Sequence, residues 1–167
     1  MAMSGVKLTE SCMVTYQDIQ KSKKYRYAIF VIQGGMIEVE KVGDRNNSYG
    51  DFLADLHQSD GDADDCRYGV YDYDYQFNPD GAESTFKSKI FLMCWCPDSS
   101  KIKKKMLYSS SFDTLKRGEW CATCLAIDFY SVLVSAFVGV HKVIQANDKS
   151  ECEQMAVEEI LRSTDRN

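Results

Sequence analysis

The spacing of apolar residues changes along the chain between helical and strand periodicity, beginning with a helix and a hairpin. Residues 9–20 place apolar side chains three or four positions apart, which predicts an amphipathic helix with Thr9 as its N-cap. Residues 25–32 and 36–42 are strand-like and flank Gly34-Gly35. Adjacent glycines tolerate the positive φ angles of a tight turn, so this stretch predicts a β-hairpin.

The middle of the chain is predicted to form a second helix and two further strands. Residues 49–56 have helical spacing, whereas residues 71–77 alternate strictly between aromatic and polar side chains. The alternation predicts a half-exposed strand, with Tyr71, Tyr73, Tyr75 and Phe77 on one face and Asp72, Asp74 and Gln76 on the other. An unbroken apolar run within residues 87–95 predicts a central strand covered on both faces.

The last third of the chain is predicted to contain two more helices and a strand. The sequence Pro97-Asp98-Ser99 opens a helix that runs toward Arg117, and residues 140–145 are strand-like. Ser150 and Glu153 have capping-box spacing before a final helix that ends near Arg162. Hairpin strands mixed with helices predict an α/β (α+β) fold around a mixed sheet.

Length and composition favour one globular domain, and the charge distribution favours an acidic partner. The chain has 167 residues, of which 44% are hydrophobic and 27% charged. The net charge of −5 argues against nucleic acid as a partner. Residues 83–117 nevertheless hold eight Lys or Arg against three Asp or Glu, whereas residues 44–80 hold two against ten. Such a charge dipole would steer its basic side toward an acidic surface.

The cysteines predict reduced thiols rather than a disulfide framework or a metal site. The number of cysteines is odd, seven, and no signal-peptide pattern precedes them, so a cytoplasmic or nuclear location is expected. A four-thiolate zinc site built from Cys94, Cys96, Cys121 and Cys124 is disfavoured because we expect Cys94 and Cys96 to point to opposite faces of their strand. A thiol oxidoreductase using Cys121 and Cys124 lacks a recognisable redox fold pattern. We therefore expect no metal and no cofactor.

A cluster of lysines at the start of the third predicted helix breaks a local rule. Lys101 and residues 103–105 lie where the helix dipole presents partial positive charge, so each cation forgoes or costs about 0.3–1 kcal/mol. A solvated charge run is one interpretation. Docking of an acidic partner is the other, and Met106, directly after the lysines, suits an apolar anchor inside a charged rim.

Five stretches of the chain together resemble the actin-depolymerising factor (ADF)/cofilin family. They are Met3-Ser4-Gly5-Val6, residues 23–30 (KKYRYAIF), residues 48–53 (SYGDFL), residues 65–72 (DCRYGVYD) and residues 95–111 (WCPDSSKIKKKMLYSSS). The resemblance implies a single ADF-homology domain with a mixed five-stranded sheet flanked by helices. It also implies a monomeric protein that is not an enzyme, that binds monomeric and filamentous actin, and that promotes filament depolymerisation and severing.

The resemblance also assigns residues to these contacts. The implied actin-binding residues are Ser4, Gly5, Lys103, Lys105 and Met106, and the implied filament contacts are Lys87, Lys89 and Glu159. Phosphorylation of Ser4 would add about −1.5 to −2 charges and repel an acidic partner. Phosphoinositides would inhibit binding through the same lysines. The position after Glu159, basic in the family, is Ile160 here, and Arg162 is the candidate substitute.

Residues 118–136 interrupt the family pattern with a nearly continuous apolar run. Deleting them would give a family-like junction between Arg117 and Phe137, so we interpret them as an insertion, derived from a retained intron or an alternative exon. A transmembrane span is disfavoured because Asp128 near its centre would cost about 2.5–3.5 kcal/mol. An extra helix or strand packed on the domain is favoured. The alternative function is an anionic-membrane-surface module that uses the lysine cluster and this apolar segment.

Overall fold

Six strands form one mixed sheet in the computed structural model, which describes residues 6–58, 65–117 and 140–165. The strands are β1 (Lys7–Leu8), β2 (Tyr25–Gln33), β3 (Met36–Asp44), β4 (Arg67–Phe77), β5 (Thr85–Trp95) and β6 (Lys142–Ala146). The helices are α1 (Glu10–Gln20), α2 (Tyr49–Leu56), α3 (Ile102–Arg117) and α4 (Gln154–Arg162), with 3-10 turns at Lys149–Cys152 and Ser163–Asp165.

The sheet separates two apolar layers. Its order is β1-β3-β2-β4-β5-β6, with β1–β3 and β5–β6 parallel and the other pairs antiparallel. One core packs Tyr16 of α1 and Phe112 of α3 against the sheet, and the other packs Phe52 of α2 and Leu161 of α4. This arrangement leaves the start of α3 at the surface while its later turns are anchored.

The α/β fold class is confirmed, but the five-stranded sheet expected from the resemblance has a sixth strand. The missed element is β1, which pairs Lys7 with Met36 and Leu8 with Ile37. Two residues are too short for any periodic pattern, and their pairing is set by a distant part of the chain. The predicted hairpin is confirmed, with φ angles of +56° at Gly34 and +76° at Gly35.

Asp72 is buried, which corrects its placement on the exposed face of a strand. Its side chain is fully buried and accepts hydrogen bonds from Lys23 (2.8 Å), Arg45 (2.8 Å) and Ser88 (2.5 Å). Asp74, two residues further on, is exposed as predicted. Alternation predicted that Asp72 and Asp74 share a face of the strand, but Lys23, between α1 and β2, and Arg45, between β3 and α2, reach over that face and bond to Asp72.

One of the two predicted helix caps is confirmed and the other is wrong. Thr9 is the N-cap residue of α1 as predicted, although its hydroxyl donates to the Ile37 carbonyl (2.9 Å) and makes no side-chain cap hydrogen bond. The predicted capping box at Ser150 and Glu153 is wrong, since the box is formed by Asp148 and Glu151 around the preceding 3-10 turn. Asp148 and Glu151 have the same three-residue spacing as Ser150 and Glu153, and the structure forms the capping box at the earlier pair.

The expectation that Cys94 and Cys96 point to opposite faces is wrong. Residues two apart in a strand share a face, and the two Sγ atoms lie 3.6 Å apart in the core beneath α1 and α3. The five cysteines of the described residues are free and buried, namely Cys12, Cys66, Cys94, Cys96 and Cys152.

Some predictions concern residues outside those the structure describes. Ser4, Gly5 and the proposed insertion at residues 118–136 all fall there. Across residues 6–58, 65–117 and 140–165, no helix is both long and apolar enough to cross a membrane.

Candidate functional site

The first turns of α3 present two large apolar side chains to solvent. Ile102 is 76% exposed and Met106 is 67% exposed, and their four-residue separation places them on one face of the helix. Leu107 is half-buried and Tyr108 is buried, so the same helix also contributes to the core. Ile102 and Met106 bury only a small part of their surface in the domain and are available to a partner.

Lysines surround this apolar pair, and they differ in their own contacts. Lys101 and Lys103 are exposed, and no ion pair is formed by either among the described residues. Lys104 pairs with Asp65, and the Lys105 ammonium lies 3.2 Å from the Asp98 carboxylate. We call Lys101, Ile102, Lys103, Lys105 and Met106 the basic helix surface. It combines an apolar centre with a cationic rim, as protein interfaces commonly do.

Two tyrosines fix α3 against the sheet. The Tyr108 hydroxyl accepts a hydrogen bond from the Ile32 backbone N–H at 2.9 Å, and the Tyr68 hydroxyl donates to the Tyr108 carbonyl. Phe112, one turn later, stacks on the Tyr68 ring with centroids 5.8 Å apart. Burial raises the pKa of Tyr108 to about 12, so its hydroxyl stays neutral at physiological pH. The basic helix surface is therefore carried by a firmly held helix.

A second cationic group lies at the other end of β5, beside the turn that follows α4. Lys87 and Lys89 each place their ammonium 2.9 Å from a carboxylate oxygen of Asp165. Lys89 also donates to the Leu161 carbonyl at 2.9 Å and is buried, whereas Lys87 is half-exposed. Glu159 is exposed on α4. We call Lys87, Lys89 and Glu159 the hairpin surface.

The structure thus divides the predicted residues between two surfaces. Lys103, Lys105 and Met106 share the basic helix surface, while Lys87 and Lys89 meet at the opposite end of β5. Lys89 is more enclosed than a direct contact residue would be.

Sequence reasoning missed three residues at these surfaces. Ile102 could have been found from its four-residue spacing to Met106, which matches the face carrying the lysines. Phe86, 83% exposed beside Lys87, was indicated only by its position before the apolar run of β5. Asp165 had no local signal, because it meets Lys87 across 78 residues of sequence.

The described residues contain no cluster suited to a metal ion. No group of three His, Cys, Asp or Glu side chains is arranged to hold one in that part of the chain. Burial raises the pKa of Cys12 to about 11 and that of Cys152 to about 12, so these thiols stay protonated.

The chain matches a known protein family over most of its length. The family model described as cofilin/tropomyosin-type actin-binding protein matches residues 5–162. Actin-depolymerizing factor 6 of Arabidopsis thaliana is 36% identical over 154 residues, which cover 91% of this chain and 87% of that protein. Actin-depolymerizing factor 7 of the same plant is 39% identical over 116 residues, which cover 70% of this chain and 78% of that protein.

Solved structures resemble the chain in fold. The crystal structure of Streptomyces griseoflavus cofilin aligns with a TM-score of 0.68 and 32% identity, over 97% of this chain and 99% of that one. The solution structure of the ADF-like UNC-60A protein of Caenorhabditis elegans aligns with a TM-score of 0.69 over 96% of both chains. Its identity is 24%, so this second similarity concerns the fold.

Proposed function

The chain belongs to the ADF/cofilin family, and from this membership we propose that it binds actin monomers and filaments and promotes filament depolymerisation and severing. The exposed Ile102–Met106 pair within its lysine rim is the observation that carries the proposal. Apolar anchors inside a charged rim provide affinity at their centre and orientation at their edge. This activity requires binding alone, with no catalytic residue and no cofactor, and it would operate at the cytoplasmic actin cytoskeleton.

The basic helix surface would contact both forms of actin. Lys103 and Lys105 would steer the chain onto an acidic patch, and Ile102 and Met106 would enter an apolar pocket within that patch. The Lys105–Asp98 pair is partly exposed, so its rearrangement on binding would cost little. Lys104 has a partner in Asp65 and would contribute less.

The hairpin surface would provide the additional contact that only a filament offers. Lys87 is the accessible cation of this surface, and Lys89 would hold the end of α4 in place through its hydrogen bond to the Leu161 carbonyl. Glu159 is the acidic contact. A chain that lost this surface should keep monomer binding and lose filament affinity.

Regulation is proposed at the N-terminus and at the lysines. Phosphorylation of Ser4 would place about −1.5 to −2 charges beside an acidic partner and weaken actin binding. Phosphoinositide headgroups would compete for Lys101 and Lys103, because exposed cations attract anionic lipids. A Ser4→Asp variant and vesicles containing phosphoinositides, each added to a binding assay, would test these two mechanisms separately.

The chain is proposed to be a single ADF-homology domain over residues 1–167, with residues 118–136 as an insertion outside the family pattern. Comparison of the full chain with a form lacking these residues in sedimentation and severing assays tests this division. Equal stability and equal actin binding would support an insertion tolerated by the domain. Unfolding of the shortened chain would contradict it.

Binding variants of the basic helix surface test the proposed function. We expect Lys103→Ala/Lys105→Ala and Ile102→Ala/Met106→Ala each to weaken monomer binding by about tenfold or more, the size of an interface hot spot. The lysine variant should lose most at low salt, because screening already weakens its contribution at high salt. Lys21→Ala/Lys24→Ala removes the same charge from the exposed loop after α1 and should retain affinity.

Two results would contradict the proposal. Unchanged monomer and filament binding in both variants would show that the start of α3 is not the docking surface. Sedimentation with acidic liposomes and never with actin filaments would favour the membrane-surface module instead.

A further inference from the structure

The turn after α4 brings a carboxylate onto the cations of the hairpin surface. One oxygen of Asp165 accepts hydrogen bonds from both Lys87 and Lys89 at 2.9 Å, and the Tyr75 hydroxyl donates to its other oxygen. Three donors from two neighbouring strands thus converge on one acidic side chain. The same arrangement would suit a carboxylate from another molecule, because charge-assisted hydrogen bonds from fixed donors are the strong ones.

The three donors differ in how firmly the domain holds them. The Lys89 side chain is only 11% exposed, and its ammonium also bonds the Leu161 carbonyl, so it stays in place without Asp165. The Lys87 side chain is 37% exposed, and its ammonium lies 3.7 Å from the centre of the Phe77 ring. Lys87 is therefore the donor that a partner can reach.

The Asp165 side chain is largely enclosed where it meets Tyr75, Lys87 and Lys89, and only 8% of it is exposed. Burial alone would raise the pKa of Asp165, but the hydrogen bonds from Tyr75, Lys87 and Lys89 hold it well below its ordinary value. The carboxylate is thus ionised at physiological pH and offsets part of the positive charge that the two lysines would otherwise present.

We propose that Tyr75, Lys87 and Lys89 form a carboxylate-binding site, that Asp165 occupies it in the free chain, and that this contact restrains filament binding. The inference rests on the proposed function, since it assigns the filament as the source of the competing carboxylate. An acidic side chain of the filament would take the Lys87 end of the site as Asp165 moves away. Lys89 would remain bonded to Leu161 and keep the end of α4 in position.

This assignment differs from a purely structural role for Asp165. A structural contact would only support the hairpin surface, so its removal would leave filament binding equal or weaker. An occupied binding site predicts the opposite result, because removal of Asp165 frees Lys87 for the partner. If Asp165 occupies a binding site, its removal should leave monomer binding unchanged, since the basic helix surface lies at the other end of β5.

The experiment measures filament cosedimentation and monomer affinity for the full chain and for Asp165→Asn. We expect Asp165→Asn to bind filaments about two- to fivefold more tightly, the range in which half-exposed ion pairs contribute, with monomer affinity unchanged. The gain should shrink as salt is added. It should also vanish in Lys87→Ala/Asp165→Asn compared with Lys87→Ala, because the freed cation is then missing.

Controls separate this gain from general charge and folding effects. Glu83→Gln removes one negative charge from the exposed β4–β5 connection and should leave filament affinity within about twofold, since exposed charges are largely screened. Asp165→Glu keeps the charge and should stay close to the unmodified chain. Thermal unfolding of each variant establishes that the compared chains are folded.

Each outcome is decisive. Equal or weaker filament binding by folded Asp165→Asn, beside an unmodified chain that does bind filaments, would overturn this inference alone. A gain that persists in the Lys87→Ala background would also overturn it, because the freed lysine would not be its cause. Filament binding by neither chain would overturn the proposed function and this inference with it.

Discussion

Replacement of Asp72 by Asn should destabilise the chain far more than the same replacement of Asp74. Asp72 is fully buried and is bonded to Lys23, Arg45 and Ser88, whereas the Asp74 side chain is 44% exposed and pairs with Arg26 at 2.7 Å. The amide group of Asn carries no charge and directs one NH2 group toward donors that need an acceptor. Two cations would then face a neutral, partly mismatched group.

The magnitude follows from burial. Removal of one partner from a buried ion pair costs about 3–5 kcal/mol. The Lys23 and Arg45 side chains are 46% and 28% exposed, so water would partly solvate them after the change. We therefore expect a loss near the lower end, about 3 kcal/mol, which for a chain of this size lowers the melting temperature by about 6–12 °C. Asp74→Asn should cost less than about 1 kcal/mol.

Urea unfolding followed by tryptophan fluorescence, together with thermal melts, would measure both variants against the unmodified chain. A loss below about 1 kcal/mol for Asp72→Asn, or equal losses for the two variants, would show that the buried ion pairs of Asp72 do not stabilise the fold as expected. The comparison is well matched because both residues lie in β4, change in the same way, and differ mainly in burial.

Three further predictions concern pH, packing and the thiols. Burial alone would raise the pKa of Asp72, but hydrogen bonds from Lys23, Ser88 and Arg45 lower it in the folded chain. The stabilisation by Asp72 should therefore be complete above an unfolded-state pKa of about 4 and be lost as the pH falls through the lower folded value. Urea midpoints measured from pH 7 to 2 would follow this loss, which should be smaller in Asp72→Asn. Gly43→Ala should cost about 2 kcal/mol in urea unfolding, because the new Cβ would overlap the Tyr27 ring, whereas Gly50→Ala in α2 meets nothing closer than 3.5 Å and should stabilise. Iodoacetamide near neutral pH should modify the native chain far more slowly than the urea-unfolded chain, because the thiols are buried. Peptide mass analysis would measure this at Cys12, Cys66, Cys94, Cys96 and Cys152.

The elements that periodic patterns predicted correctly are those whose burial is decided locally. Alternation placed Tyr71, Tyr73 and Tyr75 on the buried face of β4, and the two glycines placed the β2–β3 turn. The same alternation misplaced Asp72, because its burial depends on Lys23, 49 residues away in sequence. Lys23 itself has a φ angle of +52°, a conformation that no spacing rule would assign to a lysine.

The candidate site was predictable where its residues break local rules. Lysines at a helix start are locally unfavourable, so the amino-acid sequence alone is enough to single out the start of α3. The role of Asp165 could not be predicted in this way, because its partners Lys87 and Lys89 are distant in sequence and each is an ordinary strand lysine. Only the packing of α4 against the sheet brings them together.

The short strand β1 has a consequence for self-association. An edge strand displays unpaired backbone groups that can pair with another copy of the chain. β1 covers only the first two residues of β3, and beyond them that edge carries Glu38, Glu40 and Lys41. A two-residue edge with charged side chains beside it is a poor template for a further strand. This edge of the sheet is therefore a poor site for pairing with a second copy of the chain.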